Sequence, residues 1–308
     1  MHDFFSGTNI QNGPLLPPFM KMRTFYPVSI VTLFLVLFAW PNGLLAQFTY
    51  TTNAGTITIT KYTGPGGIVA IPSSINGLPV AVIGENAFNA ATNVTSVAIP
   101  QGVGMIMVNA FAYCSNLRSV AVPTTVTNIG DAAFYGCSSL TNVSVPNGVT
   151  WLGNLVFYYC TSLKKLVLPT SIELIQDSAL ANCFNLTSLY CMGSRGTTYN
   201  NFLDNDSQVT IYYLPGATGW GSSYAGHPAM LWNPQMKTND SNFGVRGNRF
   251  GFTINGSANI PILVEACTNL SNGAWQPLQT CTLTNGSIYF SDLGWTNYRA
   301  RIYRVRSP

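Results

Sequence analysis

Apolar positions recur along this chain with a period of 23 residues, far longer than that of any strand or helix. Phe88, Phe111, Phe134, Phe157 and Leu180 form one column. Cys114, Cys137, Cys160 and Cys183 form a second. Leu117, Leu140, Leu163 and Leu186 form a third, with Val94 before it and Val209 after it. Pro100, Pro123, Pro146 and Pro169 form a fourth; Met192 substitutes once, and Pro215 resumes it. Ile83, Ile106, Ile129, Leu152 and Ile175 form a fifth. Pro72 lies 28 residues before Pro100, so the first rung is expected to carry a five-residue insertion. Such a fixed period predicts a coil stacked along one axis. Each column becomes a ladder inside the coil, because no rung can bury its apolar residues alone.

Within one rung, Leu140-Thr-Asn-Val143-Ser-Val145-Pro146 has the L-x-x-L-x-L spacing of a leucine-rich strand. Val143 and Val145 alternate toward a core. Pro146 ends the strand because it has no amide to donate. A second short extended stretch runs from Val149 to Leu152, and a tight turn follows around Phe157–Cys160. Segments such as Val126–Pro146 (VTNIGDAAFYGCSSLTNVSVP) resemble the BspA-type leucine-rich repeats of bacterial surface and secreted proteins. The resemblance spans roughly residues 56–236. Met107 and Gln176 depart from it where Gly84, Gly130 and Gly153 stand in other rungs, as does Leu180 for Phe. The resemblance implies a mainly β leucine-rich-repeat solenoid and a role in adhesion or protein binding, and it supplies no catalytic residue.

With Val143, Val145 and their register mates inward, the residues between and before them face outward. Counting by 23, the outward positions read Ala98, Ala121, Ser144, Val167, Tyr190 and Tyr213, preceded by Ser96, Ser119, Asn142, Lys165, Ser188 and Ile211. The early rungs are small and bland. The later ones give a candidate ligand-binding set: Lys165, Val167, Tyr190, Ile211 and Tyr213. Exposed aromatics beside a cation are common interface anchors, so a protein or glycan ligand is expected on this sheet.

Solenoid ends need caps. Phe48–Tyr62 reads as a hairpin around Asn53-Ala-Gly55. At the other end Trp220, Tyr224 and Trp232 are candidates to cover the last rung. Residues 1–46 are expected to be an N-terminal extension with a signal peptide, and 47–236 the solenoid with its caps. Residues 237–308 are expected to form a small C-terminal β-sandwich-like domain of about five strands. Its turn signals are Asn255-Gly256, Asn272-Gly273 and Asn285-Gly286. The pattern VEACTNLSNGAWQPL with YFSD and YRV resembles a C-terminal module of exported bacterial proteins, which makes surface attachment an alternative role for the chain.

Lys21 and Arg23 precede a 13-residue apolar run from Val28 to Trp40, which suits a signal-peptide core and is too short to span a bilayer. Cleavage is expected after Ala46, giving a secreted or cell-surface protein without a transmembrane span. The residues before Met20 do not read as a signal start, which leaves Met1, Met20 and Met22 as alternative starts.

Charged residues are only 8% of the 308, against a typical ~25%. Neutral Thr, Ser, Asn and Gly take their place. Residues 47–236 carry five basic and six acidic side chains, and residues 237–308 seven and three. Arg299, Arg301, Arg304 and Arg306 crowd the last ten positions, on alternate faces of one expected strand. Solvated strand positions or a patch for an anionic polymer are the two readings. The bulk of the chain is not basic, which argues against nucleic acid.

Candidate chemistry is sparse. Four cysteines in register are expected to be buried apolar fillers, since a linear ladder is no tetrahedral cage and only His227 follows the signal. Cys267 and Cys281 lie in or beside neighbouring expected strands and are a candidate disulfide. His227 is expected to be structural. Asp204 and Asp206 lack the further ligands of a calcium loop. Glu173 and Asp177 are the one carboxylate pair for a polymer hydrolase; surface duty is the simpler reading. No catalytic, cofactor or metal residue is assigned.

Overall fold

The computed structural model describes the backbone of residues 5–8 and residues 47–199 and 201–307. The expected signal core and its cleavage point lie outside these residues. Among the described residues no helix is long and apolar enough to cross a membrane. Contacts divide the described residues into two compact units, one ending at Met230 and one running from Leu231 onward with the strand Phe5–Thr8.

The first unit is the solenoid. One ladder of parallel strands runs through Gly67–Ala70, Val94–Ala98, Ser119–Ala121 and Asn142–Val143. It is taken up again by Lys165–Leu168, Ser188–Cys191 and Thr210–Tyr213. A second ladder of two-residue strands includes Met105–Ile106, Asn128–Ile129, Trp151–Leu152 and Leu174–Ile175. The third side of each rung is a turn. There the rungs are sewn together by main-chain bonds such as Phe111 N to Ala133 O (2.8 Å) and Phe134 N to Val156 O (2.9 Å).

The sequence columns become ladders of the core. Phe88, Phe111, Phe134 and Phe157 stack at 4.8, 5.3 and 5.4 Å between centroids. The four column cysteines are buried and free, and each thiol donates to the carbonyl of the preceding rung's aromatic, as Cys137 Sγ does to Phe111 O at 3.1 Å. Burial pushes the Cys114 thiol up to about 12 and that of Cys160 well above its usual value. These sulfurs therefore fill space and stay protonated.

The N-terminal hairpin is Phe48–Asn53 against Thr56–Tyr62, turning through Ala54 and Gly55 at positive φ. Tyr62 stacks on Phe88 at 5.0 Å and so closes the aromatic ladder. The five-residue insertion is a second hairpin, Ser74–Ile75 with Leu78–Ile83, turning at Asn76-Gly77. At the far end Trp220 stacks on Tyr213 and donates to Gly193 O at 3.2 Å, while Tyr224 donates to Gly196 O at 3.1 Å.

Trp232 falls in the second unit. Its indole donates to Pro261 O of the same unit at 3.0 Å. Residues 231–236, grouped with the solenoid on sequence grounds, also go with the second unit, because Gln235–Lys237 pairs with Arg249–Asn255. This unit holds two antiparallel sheets. One contains Gln235–Lys237, Gly244–Arg246, Arg249–Asn255 and Ser287–Asp292. The other orders Phe5–Thr8, Ala300–Arg306, Pro261–Cys267 and Gln276–Thr282. Phe250 and Phe252 of the first meet Tyr303 of the second at 5.3 and 5.6 Å, so the sheets share an aromatic core.

Candidate functional site

On the outward face of the main solenoid sheet, Lys165, Ser188 and Thr210 lie side by side, followed by Val167, Tyr190 and Tyr212. Counting by 23 therefore fails at the last rung. Leu186 and Val209 keep the period, but one residue fewer separates Val209 from its strand, and Leu189 pairs with Ile211. Ile211 is consequently a fully buried core residue, and Tyr213 is a register mate of Cys191 that belongs to the cap. Of the five expected contact residues, Lys165, Val167 and Tyr190 share this face, and Tyr212 takes the place of the other two.

Exposure refines the picture further. Lys165 is exposed and Val167 half-buried. Tyr190 and Tyr212 stack at 5.0 Å and are only 4% and 7% exposed, and burial raises both phenols. The accessible part of the sheet is thus small, neutral and hydroxyl-rich, with Lys165 as its cation.

The arginine cluster forms no open patch. Arg301 is buried and pairs with Asp292, which also accepts from Tyr303 at 2.8 Å. Arg304 and Arg306 clasp the buried Glu265 at 2.6 and 2.9 Å, and Arg304 lies 4.2 Å over the Trp275 ring. For Arg301, Arg304 and Arg306 both sequence readings, solvated positions and a polyanion patch, yield to internal ion pairs, whereas Arg299 is exposed as the first of them expects. The proposed Cys267–Cys281 bridge also fails. Both are free, and Cys281 lies opposite Ile262, five positions along the strand from Cys267. Five extended residues span roughly 17 Å, well beyond the ~7 Å limit for bridging.

Glu173 and Asp177 are both exposed on one rung. A cleft in the last rungs is lined by Leu168, Ile172, Ile175, Phe202, Trp220 and Tyr224 among others, with no carboxylate or histidine. His227 opens the strand His227–Leu231, and burial lowers its imidazole. Among the described residues no three His, Cys, Asp or Glu side chains come together as metal ligands.

A feature that no column announced lies on the turn side. Tyr113, Tyr135, Tyr158, Tyr159 and Phe184 form a chain of ring contacts at 5.0, 5.2, 4.8 and 5.9 Å. Tyr113, Tyr159 and Phe184 are 54%, 41% and 49% exposed. Column counting missed the strip because its members occupy three different positions in the rung.

Residues 81–210 match the BspA type leucine rich repeat region, in six copies. Solved structures with similar chains include the T. pallidum leucine rich repeat protein, at 27% identity over 56% of this chain and 85% of that one, with a TM-score of 0.47. Another is a leucine rich cell surface protein from Faecalibacterium prausnitzii, at 30% identity over 54% of this chain, with a TM-score of 0.45. This chain spans about half, 53%, of that protein's chain. No curated protein matches the sequence.

Proposed function

We propose that this chain is an exported, non-catalytic binding protein that presents its BspA-type solenoid to a protein ligand. The observation that carries the reading is the continuous repeat itself. Six family copies over residues 81–210 stack their strands into two successive parallel ladders along one side of the solenoid. Extended solenoid sheets serve as contact surfaces because each rung adds a row of side chains without adding a new core. The Lys21/Arg23 start and the apolar run Val28–Trp40 support export. The carboxylates scattered over separate surfaces support a role without turnover.

The expected contact row is Lys165, Val167, Ser188 and Thr210, with the edges of Tyr190 and Tyr212 beside it. The test is a ligand recovered from a secreted-protein fraction on the immobilised protein, followed by titration. Lys165→Glu with Val167→Arg is expected to weaken the affinity at least tenfold while the melting temperature holds. An unchanged Kd sinks this surface as the contact site.

A further inference from the structure

We infer that the aromatic strip on the turn side, Tyr113–Tyr135–Tyr158–Tyr159–Phe184, is a second binding surface, fitted to a neutral polysaccharide strand lying along the solenoid axis. The inference extends the binding-protein reading and rests on it, but it concerns a different face.

The first argument is conformational. Two turn positions per rung lie in the left-handed region. One is the column Asn86, Asn109, Ala132, Leu155 and Ser178; the other is Ala90, Tyr113, Gly136, Tyr159, Asn182 and Asn205. Gly and Asn suit such backbone, whereas a bulky side chain there costs on the order of 1 kcal/mol. Tyr113 and Tyr159 nevertheless occupy it, at φ 60° and 59°. Each residue stays about half exposed, so burial does not compensate the strain. Uncompensated strain of this kind marks a site held for something other than folding.

The second argument is the shape of the array. Rings follow one another over four successive rungs at nearly constant spacing. A linear, periodic surface fits a linear, periodic ligand better than a globular one. Tyr113, Tyr159 and Phe184 stand at 63°, 71° and 84° to their neighbours, so the strip offers both ring faces and edges. Phenol hydroxyls add hydrogen-bonding tips to apolar bodies, the combination that a sugar ring with one C–H face and a hydroxyl rim calls for.

The third argument is charge. The turn segments 108–116, 131–139, 154–162 and 177–185 contain no Lys or Arg; their charges are Asp131 and Asp177. Asp131 is already engaged by Asn154, at 2.9 Å from its amide and 3.3 Å from its side chain. A polynucleotide also stacks on aromatics, but it needs cations along its backbone. An anionic glycan meets the same deficit. The neutral polymer is what remains.

The test is native affinity electrophoresis of the full chain in gels carrying dextran, a mixed-linkage β-glucan or a galactomannan, with alginate as the anionic comparison. At least one neutral polymer is expected to retard the protein. The triple variant Tyr113→Ala, Tyr159→Ala, Phe184→Ala is expected to lose that retardation by at least tenfold in apparent Kd, with an unchanged melting curve. Lys165→Glu with Val167→Arg is expected to keep it, which separates this surface from the sheet. The inference is overturned by no retardation by any neutral polymer, by retardation by alginate alone, or by equal retardation of the triple variant. Loss of the protein ligand instead of the polysaccharide in the triple variant also overturns it, and makes the strip a protein contact.

Discussion

Asp206 lies one period beyond Cys183 and so continues the cysteine column with a carboxyl group. It is 3% exposed, and neither oxygen has a hydrogen-bond partner. Burial, partly offset by the nearby Cys183 main chain and reinforced by Asp204, pushes its carboxyl up to about 7. Because the folded value lies above the unfolded ~3.9, the favourable state is the protonated one. The associated stability is complete below about pH 4 and is lost as pH rises to about 7. The solenoid is therefore expected to melt higher at pH 5 than at pH 7.5. Asp206→Asn, neutral at every pH and nearly the same shape, is expected to flatten that dependence, because it removes the buried group that titrates. Thermal melts of both proteins across this range check it; a parallel pH response in the variant refutes the assignment.

At the scale of the rung, the stacked phenylalanines are the elements' common support. Phe134 is fully buried and contacts both Phe111 and Phe157. Its loss opens a cavity with two aromatic walls, so Phe134→Ala is expected to cost about 3–5 kcal/mol, read from urea titration of the solenoid transition. Phe134→Leu, which already has a natural counterpart at Leu180, is expected to cost less than half of that. This ladder was legible in the sequence because every rung repeats the same inward residue at the same place. What broke the reading was a single missing residue. Between Leu186 and Leu189 there are two residues, but between Val209 and Ile211 only one. Because a strand alternates faces, that one-residue slip exchanged Ile211 for Tyr212 on the outer surface. The first rung slips in the same way, where Ile68 pairs with Ser96 rather than with the residue after Val94. The aromatic strip was hidden for the opposite reason: no single column carries it, and each contributes at most two of its rings. Tyr135 and Tyr158 follow the core aromatic by one position, Tyr113 and Tyr159 by two, and Phe184 follows a cysteine. Only the folded turns bring these three positions together.

Across the whole chain, the two units draw stability from different physics, and pH separates them. The solenoid is almost uncharged inside, with Asp206 as its buried carboxyl. The C-terminal unit instead buries Glu265 against Arg304 and Arg306, partners 39 and 41 residues away that only the strand register of Pro261–Cys267 on Ala300–Arg306 supplies. That distance is why a basic cluster in the sequence became a set of internal ion pairs in the structure. Burial alone would raise the Glu265 carboxyl, but bonds from Arg306 and Arg304 outweigh it and hold it below the usual range. Its contribution is therefore present above the unfolded ~4.3 and is lost as pH falls below that value, the reverse of Asp206. Differential scanning calorimetry of the full chain is accordingly expected to show two transitions with opposite acid responses. Lowering the pH from 7.5 to 5 raises the solenoid transition and leaves the C-terminal one in place; lowering it below about 4 depresses the C-terminal one. Glu265→Ala leaves two arginines without their buried partner, a change that typically costs 3–5 kcal/mol. At about 4–8 °C per kcal/mol for a unit of this size, its transition is expected to fall by more than about 12 °C while the solenoid transition stays put. A single transition that shifts as a whole in Glu265→Ala would show instead that the two units unfold together.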